Sequence, residues 1–169
     1  MVGDLGGEGP SVVTVHVTGF KKFHGVAENP TEKIVGNLKS FVEKKGLPKN
    51  LVLGSCTVLE TAGQGALGTL YKVLESAIAE RENGSSAQGQ TTLPVNELTK
   101  SLRKTGYDVM PSDDAGRFVC NYVYYHSLRF AEQHGIKSLF VHVPLFLTID
   151  EEVQMHFVAS LLEALAVLN

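Results

Sequence analysis

The chain has 169 residues, of which 43% are hydrophobic, and its formal net charge is −3. This composition excludes a disordered or fibrous protein and predicts one globular domain with a substantial core. The slight acidity and the lack of a basic tract argue against non-specific nucleic-acid binding, and no apolar run approaches the roughly 18 residues that span a bilayer.

The cysteines and the N-terminus suggest where such a protein works. Cys56 and Cys120 are too few and too far apart for a disulfide framework or a zinc site, which favours a reducing compartment, the cytosol. Residues 1–11 are rich in glycine and acidic side chains and contain no apolar segment. We therefore expect a flexible tail there, with residues 12–169 as the single domain.

The first half of the chain alternates strand patterns with helix patterns, which is the arrangement of βαβ units. Strands are predicted where apolar residues alternate or run together, and helices where they recur every three or four residues. Phe20 and Phe23 fall in the loop after the first strand. The predicted elements are a strand at Val12–Val17, a helix that starts at the N-cap Asn29 and Pro30, a strand at Leu51–Leu59 and a helix at Gly65–Arg81.

The second half begins with a polar linker, Glu82–Gln90, which is rich in Gly and Ser and predicts a surface loop. The later elements predict an α/β fold with three layers, an open twisted and mostly parallel sheet with helices on both faces. In chain order they are an edge-hairpin arm at Thr91–Val95, a helix at Asn96–Lys104, a short strand at Tyr107–Met110, a helix around Cys120 that stops near Gly135, a buried strand at Ser138–Val143 and a final helix from the capping box Thr148–Glu151.

Cys120 and His142 are the candidate catalytic pair. Cys120 follows the turn-and-cap cluster Pro111–Asp114 and so falls near a helix N-terminus, where exposed N–H groups and the helix dipole stabilise a thiolate. His142 lies at the C-terminal end of its predicted strand, where open α/β sheets keep functional crevices. The pair is typical of the thiol and imidazole of a cysteine hydrolase, whereas Cys56 fits a buried structural cysteine.

Four segments carry more specific information because of their order along the chain. They are Val17-Thr18-Gly19-Phe20-Lys21-Lys22-Phe23, Glu28-Asn29-Pro30-Thr31, Gly116-Arg117-Phe118-Val119-Cys120-Asn121 and Phe140-Val141-His142-Val143-Pro144. Together they resemble the pyroglutamyl-peptidase I (pyrrolidone carboxyl peptidase) family, over residues 12–166 with one interruption. The resemblance implies a cytosolic omega peptidase that removes an N-terminal pyroglutamyl residue from peptides, without a cofactor or a metal. It also implies that Cys120 is the nucleophile, that His142 is the general base, and that Phe20 and Phe23 line an apolar pocket for the lactam ring.

The chain departs from this family between Arg81 and Thr91. There the family normally carries a strand with a Gly-rich turn that binds the lactam, and then an acidic segment whose carboxylate orients the histidine. Here the linker Glu82–Gln90 occupies that place, and neither Glu80 nor Glu82 is followed by the residues that the family places after its acid. The resemblance therefore indicates an internally shortened member of the family.

Two other functions stay open. One is a catalytically impaired or inactive shortened form that keeps the fold and a peptide-binding pocket, because the acid beside the histidine is missing. The other is a nucleotide-binding domain, since Gly63-Gln64-Gly65-Ala66-Leu67-Gly68 matches a dinucleotide-binding turn, although no acidic ribose ligand follows it. We expect peptides with an N-terminal pyroglutamate as partners, rather than nucleic acid or a membrane, and leave association into a homo-oligomer open.

Overall fold

A computed structural model describes residues 12–82 and 93–168 of the chain. Its elements in chain order are β1 (Val13–Phe20), α1 (Pro30–Lys45), β2 (Leu51–Leu59), α2 (Gly63–Glu82), α3 (Val95–Lys104), α4 (Val119–His134) and α5 (Glu151–Val167). The predicted tail, most of the predicted linker and the first two residues of the predicted hairpin arm lie outside the described residues. Val95, the last residue of that arm, begins α3 instead. None of the described helices has the length and apolar content that a membrane crossing requires.

Strands β1 and β2 form a two-stranded parallel sheet. The register pairs Val13 with Leu51 at one end and Phe20 with Leu59 at the other, and an irregularity near the middle leaves one extra residue in β2. Because the strands are parallel, their carboxyl ends meet at the same edge of the sheet. Phe20 and Leu59 mark this edge.

Helices cover both faces of the sheet. Side chains alternate between the two faces of a strand, and here the apolar ones form two separate clusters. The α1/α5 cluster contains Val13, Leu38, Val42, Leu51, Leu162 and Ala166. The α2/α4 cluster contains Phe20, Leu59, Ala66, Leu70, Leu74, Val119 and Val123. The predicted α/β class, with a parallel sheet between two helical layers, is confirmed, although the sheet has only two strands in the part of the chain that the structure describes.

Two predicted strands do not form in the described part of the chain. Neither Tyr107–Met110 nor Ser138–Val143 pairs with a neighbouring strand, so both predictions are wrong for this structure. A strand needs a partner for its backbone groups, whereas these segments are held by side chains. The hydroxyl pairs Tyr107 with Ser160 and Ser138 with Ser127 connect them to α5 and α4.

The helix ends follow local signals in the sequence. Asn29 caps α1 as predicted, because its Oδ1 accepts a backbone N–H of the first turn at 3.0 Å. Gly135 ends α4 as predicted, with a left-handed φ of 61°. Helix α5 begins later than the capping box Thr148–Glu151 predicts. Asp150 is its N-cap, and the Asp150 Oδ1 accepts the N–H of Val153 at 2.9 Å.

We expect Leu38→Ala to lower the free energy of unfolding by about 2 to 5 kcal/mol, because it removes a fully buried side chain from the α1/α5 cluster and leaves a cavity. Urea denaturation measures the change. The exposed neighbour Lys39 supplies the control, since Lys39→Ala should stay within about 0.5 kcal/mol of the unmodified chain. Equal effects of the two substitutions would contradict the assignment of Leu38 to the core.

Candidate active site

The carboxyl end of β1 carries both aromatic residues of the predicted pocket. Phe20 is the last residue of β1 and is buried, whereas the sequence predicts it in the loop. Phe23 lies in the following loop and is half-buried, and the two ring centroids are 6.2 Å apart. Phe20 belongs to the α2/α4 cluster and Phe23 packs against it. The two rings thus form one apolar wall at the carboxyl edge of the sheet.

The start of α1 fixes the position of this wall. Thr31 Oγ1 accepts the N–H of Phe20 at 2.9 Å, and Asn29 Nδ2 donates to the carbonyl of Lys21 at 3.0 Å. Gly19 permits the close approach of β1 to α1, because a Cβ at this position would lie 2.5 Å from the carbonyl oxygen of Thr31. The Phe20 ring is therefore held by a rigid junction between β1 and α1.

Cys120 is the second residue of α4, so its predicted position near a helix N-terminus is confirmed. Its thiol is free and its side chain is half-buried. The side chain packs against the α2/α4 cluster. Phe20 belongs to this cluster, and Phe23 also packs against it. Three of the four predicted site residues therefore share one cluster.

The loop before α4 is held in an unusual conformation. Phe118, the N-cap of α4, has φ 69° and ψ −145°, and its side chain is 73% exposed. Gly116 also has a positive φ of 81°, and Asp114 Oδ1 accepts its N–H at 2.7 Å. A positive φ is rare for a bulky residue, and such strain concentrates at functional sites. Sequence reasoning missed Phe118, since its place two residues before Cys120 is the only signal that a single sequence offers.

Partial burial changes the expected chemistry of the thiol. Burial raises the pKa of Cys120 above its ordinary value, and a hydrogen bond from its own backbone N–H partly offsets this rise. The prediction of a thiolate stabilised at the helix N-terminus is therefore wrong for this structure, because removal from water disfavours the anion. At neutral pH the site holds mainly the neutral thiol.

We expect iodoacetamide to alkylate Cys120 more slowly at neutral pH than it alkylates a free thiol, because only the thiolate reacts and burial raises the pKa. In the Cys56→Ser variant, the alkylation rate of Cys120 should keep rising with pH beyond the pH at which free cysteine is half ionised. The Cys120→Ser variant reports the other thiol in the same way. If the alkylation rate of Cys120 reaches half of its maximum at a lower pH than that of free cysteine, the site stabilises the thiolate. This result would contradict the argument that burial disfavours the anion.

His142 lies beside the loop that leads to Cys120. It is exposed, outside any strand, and its imidazole packs edge-on against Phe140, with ring centroids 4.8 Å apart. A Cβ placed on Gly116 would lie 4.0 Å from the ring Cε1 and Nε2 atoms of His142. Phe140 in turn packs against the α2/α4 cluster. The structure thus brings the imidazole to the region of Cys120, although no hydrogen bond joins the two side chains among the described residues.

The described residues supply neither an acid partner nor a metal site at this position. No carboxylate in residues 12–82 or 93–168 lies within ion-pair distance of His142. Within the same ranges, no group of three His, Cys, Asp or Glu side chains could hold a metal ion. The glycines of the predicted dinucleotide turn, Gly63, Gly65 and Gly68, lie inside α2 and leave no Gly-rich loop for a pyrophosphate.

Comparison with known proteins adds independent information. A family model described as pyroglutamyl peptidase matches residues 72–162. The pyrrolidone-carboxylate peptidase of Thermococcus litoralis is 29% identical and aligns with 85% of this chain and 80% of its own length. The pyrrolidone-carboxylate peptidase of Pyrococcus furiosus is 27% identical, with 77% of this chain and 80% of its own length aligned.

Solved structures support the same fold. A pyrrolidone carboxyl peptidase from Thermococcus litoralis superposes with a TM-score of 0.63 at 20% identity, and the superposition covers 89% of this chain and 92% of the other. A mutant pyrrolidone carboxyl peptidase from Pyrococcus furiosus gives a TM-score of 0.64 at 20% identity, with 90% and 97% covered.

The sequence alignments also contain a length difference. The alignment with the Thermococcus relative runs over 182 positions, but the matched 85% of this chain amounts to about 144 residues. About 38 positions of the alignment therefore have no residue in this chain.

Proposed function

Because this chain belongs to the pyroglutamyl peptidase family, we propose that it is a cysteine peptidase that removes an N-terminal pyroglutamyl residue from peptides. Cys120 is the nucleophile, His142 moves the protons, and Phe20 and Phe23 contact the lactam ring. Both cysteines are free thiols, which fits a reducing compartment, and we assign the protein to the cytosol.

The observation that carries this proposal is the convergence of four residues from distant parts of the chain. Phe20 and Phe23 follow β1, Cys120 begins α4, and His142 lies in the segment before α5. The first three share the α2/α4 cluster, and Phe140 connects the fourth to it. An apolar wall and a thiol on one cluster, with an imidazole near the loop that leads to the thiol, suit a small, uncharged ring joined to a scissile amide.

The raised pKa of Cys120 determines how the reaction starts. Because the thiol is mainly neutral at neutral pH, His142 has to accept its proton as the sulfur attacks the carbonyl carbon of the pyroglutamyl residue. The thiol and imidazole have no hydrogen bond in the described structure, so the reactive arrangement requires the exposed His142 ring to move towards Cys120. Catalytic hydrogen bonds often tighten only when substrate binds.

The remaining steps follow from the same groups. Attack gives a tetrahedral intermediate, whose oxyanion accepts a hydrogen bond from the backbone N–H of Cys120 at the start of α4. The imidazolium of His142 then protonates the amine as the C–N bond breaks, which leaves a thioester. Water, deprotonated by His142, attacks the thioester, releases pyroglutamate and restores the thiol. No cofactor is needed for this sequence of bonds.

Specific observations favour a second candidate, a chain that binds pyroglutamyl peptides without hydrolysing them. No carboxylate of the described residues orients His142, and an absent third member of a serine-protease triad lowers kcat by about 10⁴. The length deficit against the Thermococcus relative fits the loss of an internal segment. In this second function, Phe20, Phe23 and Cys120 form a pocket without turnover.

Hydrolysis of a fluorogenic pyroglutamyl amide by the purified chain separates the two functions. The matched control is the prolyl amide, whose five-membered ring lacks the lactam carbonyl. Release of the fluorophore from the pyroglutamyl substrate alone supports the peptidase. A folded, monodisperse sample that cleaves neither amide, but binds a pyroglutamyl peptide in calorimetry, supports the second function and contradicts the first.

A further inference from the structure

The segment that carries His142 has no strand partner within residues 12–82 and 93–168, and side chains anchor it there. Residues 136–150 lie between α4 and α5 and belong to neither a strand nor a helix. On the upstream side, the hydroxyl oxygens of Ser138 and Ser127 are 2.7 Å apart, and Phe140 packs on Tyr124 with ring centroids 5.5 Å apart. The chain is therefore fixed to α4 just before His142.

A single side chain of α5 fixes the same segment just after His142. Gln154 is 2% exposed, and its Nε2 donates to the carbonyl oxygen of Pro144 at 2.9 Å and to that of Ile149 at 2.7 Å. Both partners are acceptors, so the amide nitrogen, with its two hydrogens, has to face them. Gln154 thus closes the loop from Pro144 to Ile149 at both of its ends.

We propose that Gln154 is a positioning residue for His142. The inference rests on the proposed function, because it assigns His142 a role in the reaction. Only Val143 separates His142 from the clamped Pro144, and a residue before proline is confined to extended conformations. Proline also fixes its own φ near −65°. Few free backbone rotations therefore remain between the Pro144 carbonyl and the Cα of His142, and the Gln154 clamp fixes the point from which the imidazole turns towards Cys120.

The hydrogen bonding of the Gln154 amide indicates that its role is to hold the loop. Its Oε1 is buried and has no hydrogen-bond partner among the described residues, a loss that an apolar side chain of the same size would avoid. Pro144 and Ile149 are exposed, so water can reach their carbonyls once the amide is gone. Replacing Gln154 by methionine should therefore release the loop without unfolding the chain.

The test compares Gln154→Met with Ser160→Ala in the full chain. Ser160 lies on the same helix and hydrogen bonds to Tyr107, so its loss removes an α5 contact to a segment without His142. Two readouts are followed: the NMR signals of the His142 ring, which the Phe140 ring shifts, and kcat and KM on the pyroglutamyl amide. His142→Gln assigns the ring signals, and thermal unfolding within about 5 °C of the unmodified chain confirms that each variant folds.

In Gln154→Met we expect the His142 signals to move towards those of an unshifted histidine. The population of the open loop should rise about thirtyfold, as the loss of two hydrogen bonds of ordinary net strength implies. We also expect kcat to fall by about ten- to a hundredfold with KM nearly unchanged, because misplacement of the imidazole affects the chemical steps. Ser160→Ala should change neither readout.

The two readouts separate this inference from the proposed function. Unchanged His142 signals in Gln154→Met, or equal changes in Ser160→Ala, would overturn the role of Gln154. A shift of the His142 signals in a chain that hydrolyses no pyroglutamyl amide would support the clamp and reject the peptidase. If the chain is active and the signals move while kcat stays constant, Gln154 orders the loop without positioning the catalytic imidazole, which also overturns the inference.

Discussion

Replacement of Cys120 by alanine is expected to lower kcat/KM for a pyroglutamyl amide by about 10³-fold or more, because in the proposed mechanism the sulfur atom forms the thioester on which both halves of the reaction depend. Steady-state hydrolysis measures the loss. Intact-mass spectrometry of a quenched reaction adds a direct test, since the unmodified chain should gain the mass of one pyroglutamyl group and the variant should not.

The second cysteine of the chain provides the matched control. Cys56 lies in β2 and packs against the α1/α5 cluster, whereas Cys120 packs against the α2/α4 cluster. Burial raises the pKa of the Cys56 thiol as well, with Lys39 partly offsetting the rise, so the two thiols differ mainly in place. Cys56→Ala should therefore retain activity. Turnover that survives Cys120→Ala would show that a different group, or a contaminating enzyme, performs the hydrolysis.

The features that the sequence predicts well depend on neighbouring residues in the chain. Asn29 caps α1 because a side chain and the N–H of the following turn meet wherever a helix starts in this way. Gly135 ends α4 because a left-handed residue is needed there, whatever packs around it. Strand β2, Leu51–Leu59, has the predicted bounds, since apolar and β-branched residues at both of its ends suit a strand between two helical layers.

The features that the sequence predicts poorly depend on partners elsewhere in the chain. Ser138–Val143 has the composition of a buried strand, but the described sheet ends at β1 and β2 and offers it no ladder. The same limit applies to Cys120. Its position at a helix N-terminus is a local property and is predicted, whereas the burial that raises its pKa comes from packing on the α2/α4 cluster. Gln154 carries no signal in the sequence, because a glutamine in a helix is usually exposed.

The difference between local features and features that depend on distant partners explains why the site can be predicted only in part from the sequence. Composition and motif order lead to Phe20, Phe23, Cys120 and His142, and the structure brings the first three to one cluster. The relation of His142 to Cys120 depends on a segment whose backbone pairs with no strand in the part of the chain that the structure describes. The strength of catalysis should therefore depend on how the imidazole is held, and substitution of His142 measures how much the imidazole contributes.

We expect His142→Ala to lower kcat by about 10²- to 10⁴-fold, the usual contribution of a positioned general acid and base. The variant keeps the Cys120 thiol, so its residual rate should follow the thiolate fraction. Because burial raises the pKa of that thiol, the fraction is small at neutral pH and grows as the pH rises. Hydrolysis measured across pH should therefore increase steadily towards alkaline pH in the variant, whereas we expect the unmodified chain to hydrolyse the amide already at neutral pH.

Exposure of His142 makes a rescue experiment possible. Because the side chain reaches solvent, free imidazole can enter the space that alanine leaves and take over the proton transfers. Added imidazole should restore part of the rate of His142→Ala and leave Cys120→Ala unaffected. His156→Ala is the matched control, since His156 is exposed on α5 and contacts Phe41 on the α1 side of the sheet. A loss as large in His156→Ala, or no loss in His142→Ala, would remove His142 from the mechanism and show that another group moves the protons.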